Sequence, residues 1–412
     1  MRPSLAPLRV SAYRRLLFSY AVNELGDSIA IVALAVLVFD RSDSPLAIAG
    51  LFVAAKFLPA FITPAIVART DQLHLARVLG VLYAAEAAIF AALAFVAAKS
   101  YSYPLVLGLA LLDGTLALTA RALSRGGVAR VLETDGLLRQ GNALLNVAFG
   151  LAAVTGMVAG GLIVSTSGVS TGLAVDAASF AIAALIVLRI RPLTDAQAEP
   201  EPFLERFRDG LRHVRTHPVL PLLLAGQALA LVCFYLVIPI EVVYAKETLG
   251  VGDAGFGVLL ASWSAGILLG SLLYIRLSLR SPVALVILST ATIGLAYAGM
   301  AAADELWVAC ALSVVGGLGN GFQWVSVMTM LQEATPLHLQ ARVVGLLESI
   351  GAAMPGVGFL LGGALATIWS PRVAYAAAGA GVLAVALIGA ALLPRRAGVR
   401  PRPRPAAPSG GA

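Results

Sequence analysis

An all-α membrane protein, with twelve transmembrane helices in two pseudo-symmetric six-helix bundles, is the fold class that three observations predict. First, 59% of the 412 residues are apolar, against roughly 45–50% in soluble chains. Second, those residues gather into twelve runs, each close to the ~20 needed to cross a bilayer. Third, only Arg41, Lys99, Lys246 and Arg372 of the 29 basic residues fall between runs on one side, and only Lys56 falls inside a run once Arg121, at the inner end of the fourth, is counted with the loop that follows. A charged fraction of 12% excludes a soluble multidomain chain, a disordered one and a nucleic-acid binder. Strand-type alternation is absent, so closed helical bundles satisfy the backbone in lipid.

The runs are justified in order. The first, 16–39, is apolar except for Tyr20, Asn23, Glu24 and Asp27, which fall within an arc of about 100° on one helix face. Asn23, Glu24 and Asp27 within so long a run also argue against a cleavable signal peptide. The second, 46–68, holds Lys56; the third, 78–98, holds Glu86; the fourth, 104–123, holds Asp113 and leads to Arg121. The fifth, 143–165, carries Gly156-Met-Val-Ala-Gly-Gly161, and the sixth, 172–188, carries Asp176, expected to serve as a hydrogen-bonding residue. The seventh, 219–244, includes Gln227, Cys233 and Tyr235. The eighth, 255–275, opens on Gly255-Phe-Gly257, and the ninth is 283–303. The tenth, 307–331, contains Gly316-Gly-Leu-Gly-Asn-Gly321, which is no phosphate loop, having neither a preceding strand nor a following lysine. The eleventh, 343–368, repeats Gly-x-x-x-Gly-Gly, and the twelfth, 373–393, is uniformly apolar. Cys233 and Cys310 lie in apolar runs and read as small core hydrophobes.

The excess of arginine on one side of the runs predicts that both termini are cytoplasmic in a multi-pass protein of the cell inner (plasma) membrane. The net charge of +7 is thus an orientation signal. The expected organisation is an N-terminal bundle (1–190), a cytoplasmic linker (191–217), a C-terminal bundle (218–394) and a basic, disordered tail (395–412). In the linker, Phe203, Phe207, Leu211 and Val214 recur at helical spacing opposite arginines, the pattern of a helix lying on the membrane surface.

The two halves repeat. An offset of 202 residues lays Gly156, Gly160 and Gly161 on Gly358, Gly362 and Gly363; an offset of 207 lays Leu16, Gly50 and Arg69 on Leu223, Gly257 and Arg276. The matched glycines predict duplicated helix-packing sites, and a parallel repeat of this kind is one architecture of secondary transporters.

Further motifs are Tyr13-Arg-Arg-Leu16, Leu25-Gly-Asp27, Val175-Asp-Ala-Ala-Ser-Phe180, Phe207-Arg-Asp-Gly-Leu-Arg-His-Val214 and Ala341-Arg-Val-Val-Gly345. With these the chain, over residues 10–394, resembles the major facilitator superfamily (MFS), and within it the prokaryotic group of macrolide-efflux proteins and enterobactin exporters. The resemblance implies a cavity lined by the first, fourth, seventh and tenth spans. Its candidates here are Asn23, Asp27, Asp113, Arg121, Gln227, Tyr235, Asn320, Gln323 and Trp324. It also implies a conformational latch in the loop after the second span, where Arg69, Asp71 and Arg77 keep charge but a glycine and an adjacent arginine pair are missing. The fifth-span motif lacks the proline usual in antiporters.

Ionisable groups in lipid are costly and call for a purpose. Asp27, Lys56, Glu86 and Asp113 share a depth of roughly 14–20 Å, with Glu24 about one turn further. One base cannot neutralise four acids, and an unneutralised carboxyl beside a water-filled cavity is what proton coupling requires. The expectation is that Asp27, with Glu24 or Asp113, carries the proton while Lys56 biases it; the alternative for Lys56 is a fixed ion pair with Asp27. Glu86 is expected to pack between helices. Arg121 meets either an anionic substrate group or the headgroups. A mostly aliphatic and aromatic cavity suits a small amphipathic organic solute.

The function expected is therefore secondary active transport by alternating access, as proton-coupled efflux. The rivals are metabolite uptake and a non-transporting sensor or scaffold. No enzyme, cofactor or metal is expected: His74, His213, His217 and His338 all lie in loops, and no HExxH, GxSxG or Walker segment occurs. The expected partners are a small-molecule substrate, a proton and lipid, in a monomer.

Overall fold

The computed structural model describes residues 5–70, 74–132, 136–190, 211–277 and 281–397. Among these are twelve helices long and apolar enough to span a membrane. They are α1 (Ser11–Ser42), α2 (Pro45–Val67), α3 (Leu75–Lys99), α4 (Tyr103–Val128), α5 (Gln140–Ser167) and α6 (Val169–Val187). The second half contributes α7 (Leu220–Thr248), α8 (Asp253–Tyr274), α9 (Val283–Ala302), α10 (Leu306–Glu333), α11 (Arg342–Ile368) and α12 (Pro371–Leu393).

Local chemistry sets the ends and interruptions. α1 stops at Asp43, whose left-handed φ of 49° turns the chain. Ser44 Oγ then accepts the Ala47 N–H at 3.3 Å and Pro45 opens α2, a helix start in which both residues suit their positions. Within α2 the helix widens to a π turn over Val53–Phe57 ahead of Pro59. Pro59 has no N–H to offer the Ala55 carbonyl, and Gly114 of α4 packs its backbone against that carbonyl. In α7, Pro239 falls in a 3₁₀ turn at Ile238–Ile240, the helix resumes at Glu241, and a second π turn follows over Tyr244–Thr248. α7 is thus a discontinuous helix.

The halves repeat their packing. α1 lies against α5 and α6, α3 against α6, and α2 against α4; correspondingly α7 lies against α11 and α12, α9 against α12, and α8 against α10. The halves meet through α5 with α8 and α2 with α11. Glycine explains how: a Cβ at Gly161 would come 2.7 Å from the Asp253 carbonyl and 3.0 Å from Gly257 Cα, and one at Gly363 would come 2.7 Å from Ala49 Cβ. The partner glycines serve their own half: Gly156 and Gly160 meet Leu25 and Ile29 of α1, and Gly358 and Gly362 meet Tyr235 and Leu236 of α7. The expected duplicated packing sites are present, and in each motif two glycines face inward to the half and the third faces across. α10 is continuous through its glycine run, and Gly317 and Gly319 let α8 and α9 approach it.

Both described ends, residues 5 and 397, fall on one face because twelve spans separate them. Toward the opposite, far face one hydrophobic core runs through both halves, joining Val38 and Phe52 to Tyr244, Trp263 and Phe359. On the terminus-bearing face the second half keeps a separate core of Leu220, Leu223, Leu331, Val343 and Leu347. The close contacts between the halves at Gly161 and Gly363 thus lie toward the far face. Of the expected surface helix, Leu211 is helical and half-buried and Val214 is buried in the separate core, while Phe203 and Phe207 lie outside the described residues.

Candidate functional site

α1 supplies the polar stripe that its sequence spacing implies. Tyr20, Asn23 and Glu24 are buried and Asp27 half-buried. Asn23 Nδ2 donates to Asp27 Oδ2 at 3.2 Å, one turn along the same face. From α4, Arg121 Nη2 reaches 3.0 Å from Glu24 Oε1, 3.3 Å from Oε2 and 3.8 Å from Asp27 Oδ2. One guanidinium thus serves two carboxylates one turn apart. The Arg121 fork is turned toward α1, with a third of the side chain left exposed.

The Asp27–Lys56 ion pair is also absent. Lys56 sits in the π turn of α2, is exposed, and makes no ion pair with a described residue. Asp113 is half-buried with Oδ1 enclosed and unpartnered. Glu86 is fully buried on α3, both oxygens unpartnered, in a helix that packs on α6 through stacked Phe90 and Phe180 rings 5.5 Å apart. Asp176 accepts the Ser179 hydroxyl at 2.9 Å, in a niche where Gly26 leaves room for it.

The second-half candidates separate from this cluster. Gln227 and Gln323 are buried, and with Thr290 they line a cavity of about 190 Å³ bounded by α7, α9, α10 and α12, inside the second half instead of between the halves. Gln323 Nε2 donates to Thr290 Oγ1 at 3.2 Å, and Asn320 borders a small void beside them. Tyr235 packs edge-on to Phe359 at 5.3 Å, and Trp324 is exposed. Of the latch, Asp71 and the Arg69 side chain lie outside the described residues, and Arg77 is exposed.

Two features escape the sequence reading. On the far face Lys246 Nζ, from α7, lies 2.6 Å from Asp40 of α1 and 2.8 Å from Asp253 of α8, an ion pair that ties the halves together. Below it, between the halves, is a cavity of about 120 Å³ lined by Phe52, Met157, Phe256, Trp263 and a carboxylate, Glu241. Glu241 falls in the run 219–244, two residues after Pro239.

Two similar halves of six membrane helices, joined toward one face and carrying a buried cluster of charges in the first half, define a membrane transport protein of the major facilitator superfamily, not an enzyme. The chain belongs to the transmembrane secretion effector family, whose model matches residues 2–400. It is 29% identical over 366 residues to the multidrug efflux pump Tap of Mycolicibacterium fortuitum, covering 85% of this chain and 88% of that one. The Tap pump of Mycobacterium tuberculosis (strain ATCC 25618 / H37Rv) is also 29% identical, over 371 residues, covering 85% and 86%. Among solved structures, the nucleoside transporter NupG superposes with a TM-score of 0.70 at 14% identity, covering 93% and 99% of the two chains. A bacterial homologue of the human lysosomal transporter Spinster, in an inward-facing and occupied conformation, superposes with a TM-score of 0.71 at 13% identity, covering 95% and 97%. At such identities the structural likeness concerns the fold.

Proposed function

We propose that the chain exports a small amphipathic organic compound in exchange for protons, with the terminus-bearing face in the cytoplasm of the inner membrane. The observation that carries the reading is the sharing of Arg121 between Glu24 and Asp27. With one base for two acids, a proton entering on Asp27, which holds Arg121 only at 3.8 Å, costs the network little. Asn23 then has a neutral partner, and Arg121 is left to Glu24. Asp113 and Lys56 border the same cleft and supply a second acceptor and a second base. The expelled solute is expected to be organic and amphipathic, as the Tap pumps are multidrug efflux pumps and the cavities here are largely apolar.

The test is internal pH in proteoliposomes, followed with an enclosed dye while ethidium or chloramphenicol is supplied as the probe. Solute-dependent proton movement is expected for the wild type, reduced at least about tenfold in Asp27→Asn with an unchanged melting temperature. Coupling that survives Asp27→Asn removes Asp27 from the mechanism. Probe movement in the direction of the proton instead of against it replaces export by uptake.

A further inference from the structure

The cavity of about 120 Å³ between the halves joins two things that rarely coexist: a carboxylate and an aromatic wall, with no base. Glu241 stands where α7 restarts after its proline break. Among the described residues it makes no ion pair; Lys246, five residues on, is taken by Asp40 and Asp253. Around it are Phe52 from α2, Phe256 and Trp263 from α8, with Ile31 from α1 and Met157 from α5. Trp263 is backed by Tyr297, stacked at 5.1 Å and 14°, so its ring is held rigidly in place. A lone carboxylate in apolar surroundings is costly unless it takes up a proton or a positive charge joins it, and a bound cation favours the ionised form. Aromatic faces attract cations whose hydration is weak, quaternary ammonium groups above all.

We infer that this cavity is a binding site for the head group of an organic cation, with Glu241 as counter-ion and Trp263, Phe52 and Phe256 as its aromatic walls. Its volume suits a head group, so the remainder of a larger molecule extends into the cleft. The inference rests on the transport reading and names the charge of the solute. It is distinct from the first-half cluster, where Arg121 and Asn23 hold Glu24 and Asp27.

The test compares benzyltrimethylammonium with its uncharged isostere neopentylbenzene, titrated into the full chain in nanodiscs and followed by tryptophan fluorescence. Wild type is expected to prefer the cation. The preference should fall at least about tenfold in Glu241→Gln and return largely in Glu241→Asp. A second measurement needs no variant: benzyltrimethylammonium should protect Glu241 from dicyclohexylcarbodiimide, read by peptide mass spectrometry of the wild-type chain. Equal binding of the two isosteres, an unaltered preference in Glu241→Gln, or no protection overturns the assignment. Absence of proton-driven flux would defeat the export reading while leaving this binding result standing.

Discussion

Arg121 shows how a single side chain decides the state of its neighbours. Glu24 is 4% exposed, and removing the guanidinium leaves its charge enclosed with no close base. Arg121→Met is expected to destabilise the protein by about 2–3 kcal/mol, the low side of a broken buried pair, because a third of the Arg121 side chain meets the cleft. The double variant Arg121→Met, Glu24→Gln should recover much of that loss. Thermal melting in detergent distinguishes the two. The pair was hidden in the sequence for a geometric reason. Counting residues along a span gives depth alone, and by depth Asp27 and Lys56 looked like partners. Which way each helix faces is set by packing, and packing turned Arg121 toward α1 and left Lys56 exposed on a widened turn.

At the level of elements, the start of α7 carries a pH-sensitive contact. The N–H groups of Val219 and Leu220 donate to His217 Nδ1 at 3.2 and 3.3 Å, in the manner of a helix cap. Burial, and then the neighbouring His213, hold the His217 imidazole below its ordinary 6.5. Because the folded value is depressed, the neutral, accepting form contributes fully above about pH 6.5, and the contribution fades as the pH falls below it. His217→Ala is expected to cost about 1 kcal/mol at pH 8 and progressively less at pH 5, measured by melting at both. The helices themselves were legible in sequence: all twelve runs reappear as spans, since length and hydropathy are properties of the chain alone. The discontinuity of α7 was not, because Pro239 is as compatible with a kink as with a break. Glu241 was overlooked along with it, and the charge held between the halves at Lys246 was invisible because Asp40 and Asp253 lie at the ends of other spans.

For the whole molecule, the repeat read from two glycine motifs became the joint between the halves. Gly161→Val is expected to abolish transport without loss of folding, since its side chain would meet the backbone of α8. Single cysteines near Asp40 should at the same time become more reactive to a membrane-impermeant thiol reagent, the mark of a parted far face. Retained transport would show that the approach of α5 to α8 is incidental. Lys246→Gln should open the same face more mildly and make it less dependent on salt, as a partly exposed ion pair contributes only about 0–1 kcal/mol. Two points determine a line. The contacts at Gly161 and Gly363 stand on either side of the cleft, and the Glu241 cavity lies beside both, with Phe256 adjoining Gly257 and Phe52 one turn from Ala49. Were the halves to rotate about that line, the helix ends would sweep through wide arcs and what lies near the axle would barely move. A head group lodged there would hardly travel at all while access passed from one face to the other around it.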